Sequence, residues 1–111
     1  MITFNDKSYT SSTEIFFEIF NDKWKLFILW LLINETKRFK ELSSTLNITE
    51  KTLSLKLKEL EKLHLIKREV FAEVPLRVEY SLTPYGASLK PLFEDILHWS
   101  QAYAKEFSSL S

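Results

Sequence analysis

The stretch from Arg38 to Leu82, RFKELSSTLNITEKTLSLKLKELEKLHLIKREVFAEVPLRVEYSL, constrains the fold more than any other part of the chain. Its apolar period changes once, from the helical 3.6 to the strand value of 2, and the change falls at Leu65. Before it, Phe39, Leu42 and Leu46 sit at i, i+3 and i+7, which predicts a short amphipathic helix over about 38–46. Asn47 suits the left-handed conformation that ends a helix, and Ile48 is placed to plug the turn. Thr49 then caps a longer helix, about 50–64. At 100° per residue, Leu53, Leu57, Leu60 and His64 form one face of it, with Leu63 at the edge. Lys51, Leu55, Lys58 and Lys62 form the opposite face, with Ser54 beside them and Thr52 on the other flank. After Leu65, Ile66, Val70 and Ala72 alternate with charged or exposed positions, as do Val78, Tyr80 and Leu82 with Glu79 and Ser81. Pro75 interrupts between the two runs, so a hairpin over about 66–82 is expected, tip near Glu73 to Arg77 and inner face on the helices. Two helices joined by about three residues are the spacing of a helix-turn-helix. The hairpin behind them is the position of a wing.

Charge is distributed to match. The chain is neutral, with 15 basic and 15 acidic residues, yet Lys37 to Arg68 holds nine basic against four acidic, a balance of plus five. The remaining segments hold six and eleven, minus five. An anion-binding face on a neutral body has this footprint, and so does an ordinary solvated lysine surface. Leu55 on the outer face is open to two readings: contact with a thymine methyl, or an isolated surface leucine. Arg77 is likewise a candidate for a minor groove, where negative potential concentrates, or for an ion pair with Glu73 or Glu79.

The flanking segments are apolar and aromatic. Ser11 and Glu14 have capping-box spacing ahead of a helix over about 12–20 that carries Ile15, Phe16, Phe17, Ile19 and Phe20, too many large groups for one stripe. Asn21 and Asp22 offer the next cap, and Lys23 to Ile33 is apolar nearly all round, the mark of a central helix closed by Asn34, Glu35 and Thr36. Thr83-Pro84 opens a helix extending to about Phe107, which Pro91 is expected to kink or interrupt. Its apolar arc, from Tyr85 through Trp99 to Phe107, spans roughly 160°, wider than the stripe that covers a single core. Either it dimerises or it completes a monomer core with the first helix.

Several classes are disfavoured. With 111 residues the chain makes one domain, 1–111. It has no Cys, which removes disulfides, thiolate metal sites and thiol redox chemistry, and its two His, His64 and His98, have no partner at metal spacing. No Gly-rich phosphate loop or nucleophile elbow is present, and Glu59/Glu61 and Glu94-Asp95 are acidic pairs on exposed faces, so no active site, cofactor or metal is expected. The longest apolar run, Leu26 to Ile33, is eight residues, far short of a membrane span. The first twelve residues lack a secretory h-region, so a cytoplasmic protein is expected.

The pieces KWKLFILWLL (23–32), RFKEL (38–42), ITEKTLSLKLKELEKLHLIKRE (48–69), VPLRVEYSLTPYG (74–86) and SLKPLF (88–93) together resemble the HxlR-type winged helix-turn-helix regulators, a group related to the MarR regulators. The resemblance covers about Ser11 to Tyr103. It implies a mainly α fold with a small antiparallel β-hairpin, and a homodimer held by its N- and C-terminal helices. It also implies double-stranded DNA as partner, with a recognition helix at 50–64 in the major groove and a wing at 66–82 toward the minor groove. Thr49, Lys51, Thr52, Ser54 and Leu55 are the candidates for base edges; Lys40, Lys56, Lys58 and Arg77 are those for phosphate or the minor groove. Many members of the family sense oxidants through a Cys near the first helix. That position is Ser11 here, which excludes thiol sensing. Two alternatives remain: a ligand cavity lined by Phe16, Phe20, Trp30 and Trp99 between dimer helices, and a winged helix used for protein assembly.

Overall fold

The computed structural model describes residues 1–108. The element order is β1 (Ile2–Phe4), β2 (Lys7–Tyr9), α1 (Thr13–Ile19), α2 (Lys23–Leu32), β3 (Lys37–Arg38), α3 (Phe39–Leu46), α4 (Glu50–Lys62), β4 (Ile66–Phe71), β5 (Arg77–Leu82), α5 (Pro84–Ala87) and α6 (Lys90–Phe107). The fold is mainly helical with small antiparallel β elements, the winged helix-turn-helix arrangement.

The core is built around α2. Ile28, Leu29 and Leu32 are buried on it, packed with Leu42 of α3, Leu53, Leu57 and Leu60 of α4, and Ile66 and Tyr80 of the sheet. The Asp22 carboxylate accepts from the backbone N–H groups of Trp24 and Lys25 and so caps α2 as its position predicts. Asn47 takes φ 51° and ψ 48° after α3, and Ile48 is buried beneath the turn. The Thr49 hydroxyl accepts from the Thr52 N–H and starts α4.

Two helix ends differ from the sequence reading. Helix α4 stops at Lys62, and His64 leaves it at φ 61° as an exposed residue, where Leu65 takes the buried position expected of it. A left-handed residue lets the chain turn sharply into β4. The C-terminal helix is two helices: α5 ends at Ala87, and α6 begins at Lys90 with Pro91 in its first turn. The interruption expected at Pro91 is present just before it: a proline ring cannot follow the Ala87 carbonyl in a continuous helix, but it fits the first turn of a new one, where an N–H has no intrahelical acceptor to lose.

Three further elements carry no strong sequence signal. Asn5 and Asp6, both at positive φ, turn β1 into β2. Strand β3 is only two residues long and pairs antiparallel with β5, Lys37 opposite Tyr80 and Arg38 opposite Glu79, so the sheet order is β3-β5-β4. Gly86 in α5 lies against the wing root; a Cβ there would stand 2.1 Å from the Leu65 carbonyl oxygen.

Helix α6 projects from the body. Only Phe93 on it is buried, edge-on to Trp30 with ring centroids 5.4 Å apart. Ile96, Leu97, Trp99, Tyr103 and Phe107 are exposed. The radius of gyration, 16.3 Å, exceeds the about 13 Å expected of a compact chain this long. Beyond Phe93, the monomer core does not use the wide apolar arc of α6.

Candidate nucleic-acid interface

Helix α4 separates its two faces by what each touches. Leu53, Leu57 and Leu60 are fully buried against α2 and α3. Lys51, Leu55, Lys58 and Lys62 are exposed, Leu55 at 55%. Among the described residues none of these three lysines is in an ion pair, nor is the exposed Lys40 of α3. Ser54 and Thr52 are half-buried on the flanks. Exposed Thr49 has its hydroxyl committed to the cap, 2.9 Å from the Thr52 hydroxyl.

Two of the proposed phosphate contacts are committed elsewhere. Lys56 points toward the N-terminus of α2, where its Nζ lies 2.8 Å from Asp22 Oδ2 and 3.8 Å from Glu59 Oε2. Hydrogen bonding to Asp22 raises the Lys56 pKa. Burial alone would push the Asp22 carboxyl up, but the Lys56 and backbone hydrogen bonds together outweigh it and hold it below its ordinary value. Lys25, only 7% exposed, completes the network: its Nζ donates to the Ile19 carbonyl at 2.8 Å and lies 3.2 Å from Glu59 Oε2. Glu59 is therefore no free surface carboxylate; it bridges two lysines and ties α4 to the α1–α2 junction.

Arg77 opens β5 instead of standing at the hairpin tip. Its Nε lies 2.6 Å from Glu73 Oε2 and its Nη1 3.2 Å from Glu79 Oε2, and the guanidinium stacks over Phe71 at 3.9 Å. The ion-pair reading of Arg77 is the one the structure adopts. The wing also departs from the expected inner face. Ile66, Val78, Tyr80 and Leu82 pack inward, but Val70 and Ala72 are exposed because the hairpin leaves the body after its root.

Sequence reasoning missed two basic residues at this face. Arg38 in β3 and Arg68 in β4, both exposed, line with Lys40, Ser54, Lys58 and Tyr80 a groove of about 920 Å³ between α3, α4 and the wing. Nothing in the hydrophobic period marks a two-residue strand, so Arg38 had no predicted neighbour. Among the described residues no three His, Asp or Glu side chains cluster as metal ligands, and no helix is long and apolar enough to cross a membrane.

The HxlR-like helix-turn-helix family model matches residues 19–108. The uncharacterized HTH-type transcriptional regulator YkvN of Bacillus subtilis is 39% identical over 101 residues, covering 90% of this chain and 86% of the relative. BH0655 of Halalkalibacterium halodurans, another uncharacterized HTH-type transcriptional regulator, is 47% identical over 79 residues, 69% of this chain and 70% of that protein. Among solved structures, the redox regulator HypR in its reduced form superposes with a TM-score of 0.80 at 34% identity, over 90% of this chain and all of that one. Reduced YodB of B. subtilis gives 0.71 at 33% identity, over 92% and 97%.

Proposed function

The chain belongs to the HxlR-like helix-turn-helix family of transcriptional regulators, and from that premise we propose that it binds double-stranded DNA as a homodimer. In this reading α4 enters the major groove and the β4–β5 wing turns toward the minor groove. The observation that carries the reading is the outer face of α4: Lys51, Lys58 and Lys62 are exposed and outside every ion pair of the described residues. Thr49, Lys51, Thr52, Ser54 and Leu55 are the residues for base edges, and Lys40 and Lys58 those for phosphate. Lys56 and Arg77 drop out, since using either would break an ion pair to make another.

The exposed apolar arc of α6 supports the dimer. A chain that leaves Trp99, Tyr103 and Phe107 in water loses about 1.5–3 kcal/mol of possible burial at each large side chain, and an isologous contact recovers it in both copies. Thiol sensing, which the family resemblance brings to mind, has no cysteine to act through within this sequence. The ligand-cavity alternative gains nothing: Phe16 rests on Phe20, Trp30 on Phe93 and Trp99 on Tyr103. Selecting bound fragments from the host genome tests the proposal. Two half-sites related by two-fold symmetry, about one helical turn or a multiple apart, are expected; enrichment of no sequence refutes specific recognition.

A further inference from the structure

The groove between α3, α4 and the wing collects cations from four elements: Arg38 of β3, Lys40 of α3, Lys58 of α4 and Arg68 of β4. None of the four is in an ion pair among the described residues. Two carboxylates also line it, Glu41 and Glu61. Glu41 is already engaged, accepting the Arg38 backbone N–H at 3.0 Å. Arg77 borders the same groove, but Glu73 and Glu79 neutralise it.

We propose that this groove seats the phosphodiester backbone of one DNA strand, with Arg38 and Arg68 as contacts alongside Lys40 and Lys58, and with Arg77 taking no part. The inference rests on the DNA-binding reading above and adds a strand path and two residues to it. Three features point to a strand. The groove is partly open to solvent and has about 920 Å³ of space, room for a chain passing over it. Its wall includes Ser54, one of the base-edge candidates, and a strand whose bases face α4 must carry its phosphates along that flank. Arg68 is also held in place at its backbone: it lies opposite Tyr80 in the β4–β5 ladder, and Tyr80 is buried in the core, so the point from which the guanidinium reaches into the groove is fixed. A planar guanidinium on either side of the groove suits bidentate phosphate contact.

The test is fluorescence anisotropy of the full chain with a mixed-sequence duplex of about 30 base pairs over a salt series, since phosphate contacts are independent of sequence. Arg38→Gln and Arg68→Gln are each expected to lower the slope of log K against log salt by about 0.9 per protomer bound. Arg68→Lys is expected to keep the wild-type slope, and so is Arg77→Gln. Thermal melts check that each variant folds; should Arg68→Gln fail, the exposed Arg38→Gln decides. Wild-type binding with unchanged slopes in both Gln variants overturns the groove and leaves the regulator reading standing. A wild-type chain without salt-dependent affinity overturns both. Stabilisation by inorganic pyrophosphate that matches the duplex, and is lost in Arg68→Gln, would assign the groove to a small anion and overturn the strand path.

Discussion

Lys56 and Lys58 are two residues apart on one helix, and the structure gives them opposite surroundings. Lys56 Nζ lies 2.8 Å from Asp22 with the side chains 18% and 26% exposed, whereas Lys58 is exposed and in no ion pair among the described residues. A fully exposed pair is worth at most about 1 kcal/mol, and breaking a fully buried one costs about 3–5 kcal/mol. Lys56→Ala falls between them, near the lower end. Glu59 still has Lys25 at 3.2 Å, and Asp22 still accepts two backbone N–H groups. A loss of about 1–2 kcal/mol follows, which lowers Tm by roughly 4–9 °C at the usual unfolding entropy per residue. Lys58→Ala is expected to move Tm by no more than about 2 °C. On DNA the order reverses: Lys58→Ala lowers the salt slope by about 0.9 per protomer, and Lys56→Ala leaves it unchanged. Calorimetry and a salt titration on both variants make the comparison. If Lys56→Ala lowered the slope as much as Lys58→Ala while keeping the wild-type Tm, the assignment of the two faces of α4 would be wrong.

Gly86→Ala puts a methyl 2.1 Å from the Leu65 carbonyl oxygen, a backbone atom that already accepts from the Thr83 N–H, so destabilisation of about 1–3 kcal/mol or more is expected in urea melts; a neutral result would mean that α5 does not pack on the wing root. If the proposed dimer forms through the exposed arc of α6, Ile96→Glu is expected to leave a monomer in sedimentation equilibrium with little change in helix content, since about 3–6 kcal/mol is lost across two symmetric copies. Asp22 has a lowered folded-state pKa, so its contribution is present above its unfolded value of 3.8 and is lost as pH falls through the folded value. Asp22→Asn, which keeps a capping oxygen, is therefore expected to flatten the acid limb of stability against pH; an unchanged limb would remove the Asp22–Lys56 pair as its source.

Periodicity and caps were enough to place most of the fold. Leu53, Leu57 and Leu60 recur at helical spacing and nowhere else to hide them exists but a core, so α4 was legible with its buried and basic faces. Asp22, Thr49 and Thr83 announce their helix starts because their short side chains accept from backbone N–H groups two or three residues on, and Asn47 announces a helix end because asparagine tolerates the left-handed conformation. Elements held by distant partners were not legible. Strand β3 exists because Tyr80 and Glu79 offer backbone hydrogen bonds more than forty residues along the chain. The break between α5 and α6 was legible in kind from Pro91, but its place at Ser88 and Leu89 was not.

The candidate face divides the same way. Which residues are lysine or arginine, and that they concentrate between 37 and 68, is a property of the sequence. Which of those charges remain free is decided by long-range pairing. Asp22 takes Lys56 from 34 positions away, Glu73 and Glu79 take Arg77, and Arg38 and Arg68 meet across the groove only because the sheet order is β3-β5-β4. A helical period reports which way a side chain leaves its own axis; whether it meets a carboxylate or water there depends on what the rest of the chain has packed alongside.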